Sequence, residues 1–208
     1  RYELPNGLDV ILHEDHTIPM VSVNVWYHVG SGSEKVGRTG FAHLFEHMMF
    51  QGSQNVPKNR HFELVEGAGG NLNASTWFDR TNYYETLPSH HLELALWLES
   101  DRMGWMLPAM TQEKLDLQRD VVRNERRQTV ENTPYGKAWL IIPPAMYPPG
   151  HPYHHPGIGT HEDLEAATVE DVVDFFDTYY LPGNASLVVA GDFDPQEVKP
   201  LIARTFGA

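Results

Sequence analysis

Between Gly40 and Phe50 the chain reads GFAHLFEHMMF, and its only ionisable groups there are His43, Glu46 and His47. At about 100° per residue these three side chains share an arc of roughly 100° on a helix, beside an apolar stripe of Phe41, Leu44, Phe45 and Met48. Ala42, Met49 and Phe50 fill what remains, so a helix over 38–50 has no solvated face. Such a helix belongs inside a domain, with its polar groups in the core or in a cleft. Two core histidines partnered by Glu46 would be the plain packing solution. Three groups on one face are harder to satisfy that way, because an unpaired buried charge is costly. Imidazoles four residues apart can instead converge on one divalent cation, and zinc is the usual occupant of a site with two histidines and a carboxylate.

A catalytic zinc normally has three protein ligands and one open position, so a further acid or imidazole is needed from another element. A helix over 111–131 would carry Leu115, Gln118, Val122 and Glu125 along one stripe, while Arg119, Asp120, Arg123 and Arg127 mostly project elsewhere. Glu125 is thus an acid on a buried stripe and the expected third ligand. Its competing role is a salt bridge to a neighbour such as Arg126.

The rest of the chain supplies a scaffold for these helices. An Asn6-Gly7 turn leads into the apolar DVIL, and MVSVNVWYHVG alternates apolar and polar residues, so both read as strands. Further strands are expected in NLNASTW and TNYYETL, joined as a hairpin by Phe78-Asp79-Arg80, and a last one in NASLVVAGDFD. Helices are expected over about 59–66, 89–104 and 111–131, from the capping-box-like Thr168-Val-Glu-Asp171 to about Tyr180, and from Pro195. IIPPAMYPPGHPYHHPGIG holds too many prolines and glycines for either element and reads as a surface loop after a shorter helix. Hairpins interleaved with helices give an α+β, two-layer domain with a mostly antiparallel mixed sheet packed against helices. The 208 residues suit one domain, 1–208.

Composition narrows the function. A formal charge of -13 without a basic cluster excludes a phosphate backbone as partner. The absence of cysteine removes disulfides, thiolate metal sites and cysteine nucleophiles. No apolar run approaches the roughly 18 residues of a membrane span. The chain starts at Arg1, so a leader removed earlier would leave no trace; a periplasmic or secreted location stands ahead of a cytoplasmic one.

With LPNGLDVIL, GSGSE at 30–34, TGFAHLFEHMMFQGS, GGNLNASTWFDRTNYY, RDVVRNERRQ and YYLPGNASLVVAGDFD in this order, the chain resembles the N-terminal domain of the pitrilysin, insulinase and mitochondrial processing peptidase family, the inverzincin zinc metallopeptidases. The likeness runs over nearly the whole chain. It implies a zinc metalloendopeptidase, with Zn²⁺ held by His43, His47 and Glu125 between two helices and Glu46 as general base. Glu125 falls 78 residues past His47, the spacing of the family's distal glutamate, which favours it over Glu99, Glu113 or Glu131. An extended peptide substrate would add as a strand along NLNAST, on main-chain groups of Asn73 and Ala74. Many members carry a second acid where this chain has Gln118, which can accept a hydrogen bond but bears no charge. The family's oxyanion donor and the far wall of its chamber come from a homologous second half, absent here, either a C-terminal half or a partner subunit in a dimer.

Two other roles are distinct from catalysis. One is a non-catalytic or structural subunit of a processing-peptidase-like complex, which would not need this donor set. The other is a metal-binding loop built on His151, His154, His155 and His161, which sit among prolines.

Overall fold

The structure is a computed structural model and describes residues 1–207. Six strands form one sheet: β1 (Tyr2–Glu3), β2 (Asp9–Glu14), β3 (Met20–Tyr27), β4 (Asn71–Thr76), β5 (Thr81–Pro88) and β6 (Ala185–Gly191). Their order is β1-β2-β6-β3-β5-β4, and every neighbouring pair is antiparallel except β2 with β6. This is the expected mixed, mostly antiparallel α+β sheet.

Alternation decides which face is covered. Val21, Val23, Val25 and Tyr27 of β3 are buried, and their ladder partners Leu87, Glu85, Tyr83 and Thr81 on β5 are buried with them. Leu187 and Val189 of β6 continue the same apolar face. The helices of the chain are α1 (Phe41–Met48), α2 (Arg60–Gly67), α3 (Leu92–Trp105), α4 (Gln112–Glu125), α5 (Ala138–Met146), α6 (His161–Glu165), α7 (Val169–Tyr179) and α8 (Pro195–Phe206). Phe45 of α1 stacks with Phe176 of α7 and with Tyr180, which packs on Tyr27, so the helix with the histidines is anchored through its apolar stripe to the sheet.

The capping box expected at Thr168 and Asp171 is present at the start of α7. The β4–β5 hairpin is also present, with Trp77 in the turn rather than the strand, its N–H bonded to the Arg80 carbonyl at 2.8 Å.

Four features depart from the sequence expectation. The residues from Ile141 to Met146 are helical, not loop, and belong to α5 with Pro143 and Pro144 inside it. Proline's fixed φ is already helical, and burial of Pro143 holds the short helix together despite the missing donors. The helix over 111–131 is α-helical only to Glu125 and continues as a π-helix over Arg126–Glu131. Helix α6 was not expected, although Thr160 caps it by accepting from the Asp163 N–H, and the two-residue β1 is too short for any periodicity.

Beyond α5 the chain returns to the start of α1 in close backbone contact. Gly159 has φ of 72°, and a Cβ there would stand 2.3 Å from the Thr39 carbonyl oxygen and 2.5 Å from Gly40 Cα. The variant Gly159→Ala is expected to lose about 1–3 kcal/mol from backbone conformation alone, with more from the clash, measured by urea unfolding. A melting curve equal to wild type would contradict this packing.

Candidate metal centre

Helix α1 packs against α4, and this crossing sets the geometry of the site. His43 lies in the first turn of α1 and His47 in its last, one turn apart on the same face. Glu125 arrives as the final α-helical residue of α4. Its Oε2 lies 3.1 Å from His47 Nε2 and its Oε1 3.6 Å from His43 Nε2. The three donor atoms all lie within 4.8 Å of one another. Tetrahedral zinc with nitrogen and oxygen ligands spaces its donors by about 3.3 Å, so two imidazoles and a carboxylate at these separations fit such an ion and leave one position open.

Protonation states agree with ligation. Burial, and then the neighbouring His47, depress the pKa of His43, which keeps its imidazole neutral. The hydrogen bond with His47 holds Glu125 below the usual carboxylate range. Neutral imidazole and ionised carboxylate are the metal-binding forms. Arg126 does not compete for Glu125: it pairs with Glu131 at 3.0 Å and donates to the Gly159 carbonyl. The π-turn directs Arg126 away while Glu125 keeps the histidines.

Glu46 sits beside this triad. Its Oε2 accepts from Thr76 Oγ1 at 2.5 Å, and burial pushes its pKa up against that bond and the nearby His47. A carboxyl whose pKa is raised towards neutrality suits a group that takes and returns a proton. Thr76, which the sequence reading did not single out, ends β4 and ties the hairpin to α1. Nothing local marks it, because its partner is 30 positions away in sequence.

The remaining expected residues lie around the centre. Asn73 is exposed and Ala74 buried on β4, whose second edge has no neighbouring strand among the described residues. The Ala74 N–H donates to Asn73 Oδ1 at 2.8 Å rather than to β5, so it faces that free edge. Gln118 is buried on α4, two turns before Glu125. A cavity of about 330 Å³ adjoins the centre, lined by His43 and Glu125 together with Trp77, Trp139, Ile142 and Met146. The sequence signal for its wall was the run of apolar residues at helical spacing within AWLIIPPAM.

Elsewhere the structure separates what the sequence left open. The loop histidines do not converge. His151 accepts from the Tyr153 N–H, His154 donates to the Tyr147 carbonyl, and His161 pairs with Glu131. Glu99 belongs to a second buried group, with His61 and Glu85, inside the core. There Arg102 donates to Glu99 and lies over the rings of Tyr83 and Phe50 at 4.4 and 5.0 Å. Burial pushes Glu85 well up and His61 well down, which favours the neutral form of both, while Glu99 is paired with Arg102. A guanidinium already fills the cationic role. Removing it strands Glu99 without a partner, so Arg102→Met is expected to cost about 3–5 kcal/mol in unfolding free energy. A loss below about 1 kcal/mol would show the pair to be dispensable.

An α+β sheet with this donor set between α1 and α4 defines a domain with a candidate metal centre. Residues 9–138 match the family model of insulinase (peptidase family M16), and residues 166–208 match that of the M16 inactive domain. The chain belongs to the M16, or insulinase, family of zinc proteases. It is 33% identical over 204 residues to zinc protease PqqE of Helicobacter pylori, covering 98% of this chain and 45% of that protein. With insulin-degrading enzyme of Bos taurus it shares 29% identity over 98% of this chain and 20% of that one. A solved protease from Helicobacter pylori superposes with a TM-score of 0.93 at 33% identity, over 100% of this chain and 49% of that one. The first half of the periplasmic protease PqqL from Escherichia coli gives a TM-score of 0.88 at 25% identity, over 99% and 45%. The chain therefore spans about half the length of these bacterial relatives.

Proposed function

We propose that residues 1–208 form the metal-bearing half of a zinc-dependent endopeptidase that hydrolyses extended peptides. The observation that carries this reading is the convergence of His43, His47 and Glu125 on one point, with Glu46 beside it. Zn²⁺ bound there supplies a Lewis acid that polarises a carbonyl and acidifies water to a pKa of about 7. Glu46 takes the proton from the attacking water and delivers it to the leaving amine, with Thr76 holding the carboxyl in place. The free edge of β4 receives the peptide as an added strand, for which Asn73 Oδ1 gives up the Ala74 N–H. The apolar cavity beside His43 takes a large apolar side chain next to the scissile bond. Relatives of about twice this length support a homologous second half that closes the site and donates to the oxyanion. No helix among the described residues is long and apolar enough to cross a membrane. The periplasmic relative PqqL supports the same compartment for this chain. A non-catalytic subunit would leave the intact donor set and base without a purpose.

Two experiments test this reading. Alanine at His43, His47 or Glu125 is expected to remove both zinc and turnover, whereas Glu46→Gln keeps zinc and loses turnover. Metal analysis of purified variants decides it, and stoichiometric zinc in a folded His47→Ala protein would sink the ligand set.

The second experiment compares the chain alone with the chain plus its C-terminal half or partner subunit, at equal zinc occupancy. The isolated half is expected to bind zinc but cleave short peptides poorly, with a gain of about 10² to 10³ on mixing if one oxyanion donor is restored. Full activity from the half alone would refute the need for closure while leaving the zinc assignment standing.

A further inference from the structure

The first turn of α1 is held by a group that lies outside the helix. Gly40, at its start, offers no side chain to cap it, and no acid lies in its own first turn. Glu34 serves instead: its Oε2 accepts from the Gly40 N–H at 2.9 Å and its Oε1 from the Ala42 N–H at 2.8 Å. These are two of the N–H groups that a helix leaves without internal partners. The Glu34 side chain is fully buried, and behind it His155 Nδ1 lies 3.6 Å from Oε2. That nitrogen has no hydrogen-bond partner among the described residues. Burial pushes Glu34 up to about 8 against the pull of the two N–H groups.

His43 follows Ala42 directly. Its Nε2 faces Glu125, but its Nδ1 is buried with no protein group bonded to it. A metal-ligating histidine is ordinarily aimed by an acceptor on that second nitrogen. For His43 the aim comes from its backbone and from packing against the His47 ring, whose centroid is 4.8 Å away. The backbone is what Glu34 fixes.

We propose that Glu34 is a positioning residue for the metal centre: by clamping the first turn of α1 it keeps His43 Nε2 directed at the point shared with His47 and Glu125. This role rests on the zinc reading above. It also gives the GSGSE segment a purpose within the same site.

The test uses the intact protein with Glu34→Gln and Glu34→Ala. The control is Ile202→Val, a fully buried site on α8 that reports loss of stability alone. Zinc affinity is measured by chelator competition, and amide hydrogen exchange over residues 40–47 is measured in the zinc-free protein. Glu34→Gln, which keeps one acceptor and the same size, is expected to weaken zinc binding about tenfold or more and to speed exchange over 40–47. Its kcat should fall with KM unchanged, because the β4 edge is untouched. Ile202→Val should do none of this. Should Glu34→Ala fail to fold, Glu34→Gln decides alone. Wild-type zinc affinity and exchange in a folded Glu34→Gln protein, or an equal zinc loss in Ile202→Val, would overturn the proposal while leaving the zinc reading intact. A wild-type protein that takes up no zinc would remove the zinc reading itself, and this role with it.

Discussion

Burying two histidines and a glutamate on a short apolar helix is the constraint from which the rest of the structure follows. The stripe of Phe41, Leu44, Phe45 and Met48 commits α1 to the core, and that commitment carries His43, Glu46 and His47 out of bulk water with it. Each then needs a partner that only tertiary structure can supply. Glu125 reaches both imidazoles because α4 lies along α1, and Thr76 reaches Glu46 because β4 ends there. The placement of α4 and of the β4–β5 hairpin relative to α1 is thus fixed by polar satisfaction as much as by apolar contact.

The sheet makes these partners stationary. Strands β3, β5 and β6 present one continuous apolar face, and Tyr27, Tyr83 and Tyr180 pack between that face and α1. A hairpin held to this platform by its full ladder can offer a free edge in β4 without losing its own register. Opposite it, α5 and the returning chain at Pro156, Gly157 and Ile158 wall the cavity. The free β4 edge, Glu46 and the apolar cavity are brought together at α1 by three different parts of the chain.

What the sequence discloses divides along the same line. The face shared by His43, Glu46 and His47 and the stripe through Glu125 are periodic, local properties, and they place four residues of the centre before any coordinates. Glu34 and Thr76 act through partners 6 to 8 and 30 positions away, on elements whose approach no periodicity encodes. The proline pair misdirects α5 because composition weighs the missing donors and overlooks a φ already suited to a helix. Glu85 is the subtlest case. Its place in TNYYETL puts it on the inward face with Tyr83 and Leu87, where alternation alone marks an acid that must find a partner in the core.

Among the described residues, imidazole and carboxylate donors draw together in threes at two places, one half-open and one buried, and the contrast between them bears on which could do chemistry. Around His61, Glu85 and Glu99 the net charge is settled internally: a guanidinium is bonded to Glu99, aromatic faces cover it, and the side chains are almost wholly shielded from solvent. Such a group has no vacancy for a cation and no path for a substrate. Around His43, His47 and Glu125 no guanidinium enters, because Arg126 turns away to Glu131 and Gly159. The side chains there are 15%, 23% and 36% exposed, and a cavity opens beside them. The same residue types therefore serve opposite ends, and the deciding difference is where the arginine goes. In the core it completes the charge balance; at the cleft its diversion leaves a negative, half-open donor set of the kind that suits a cation.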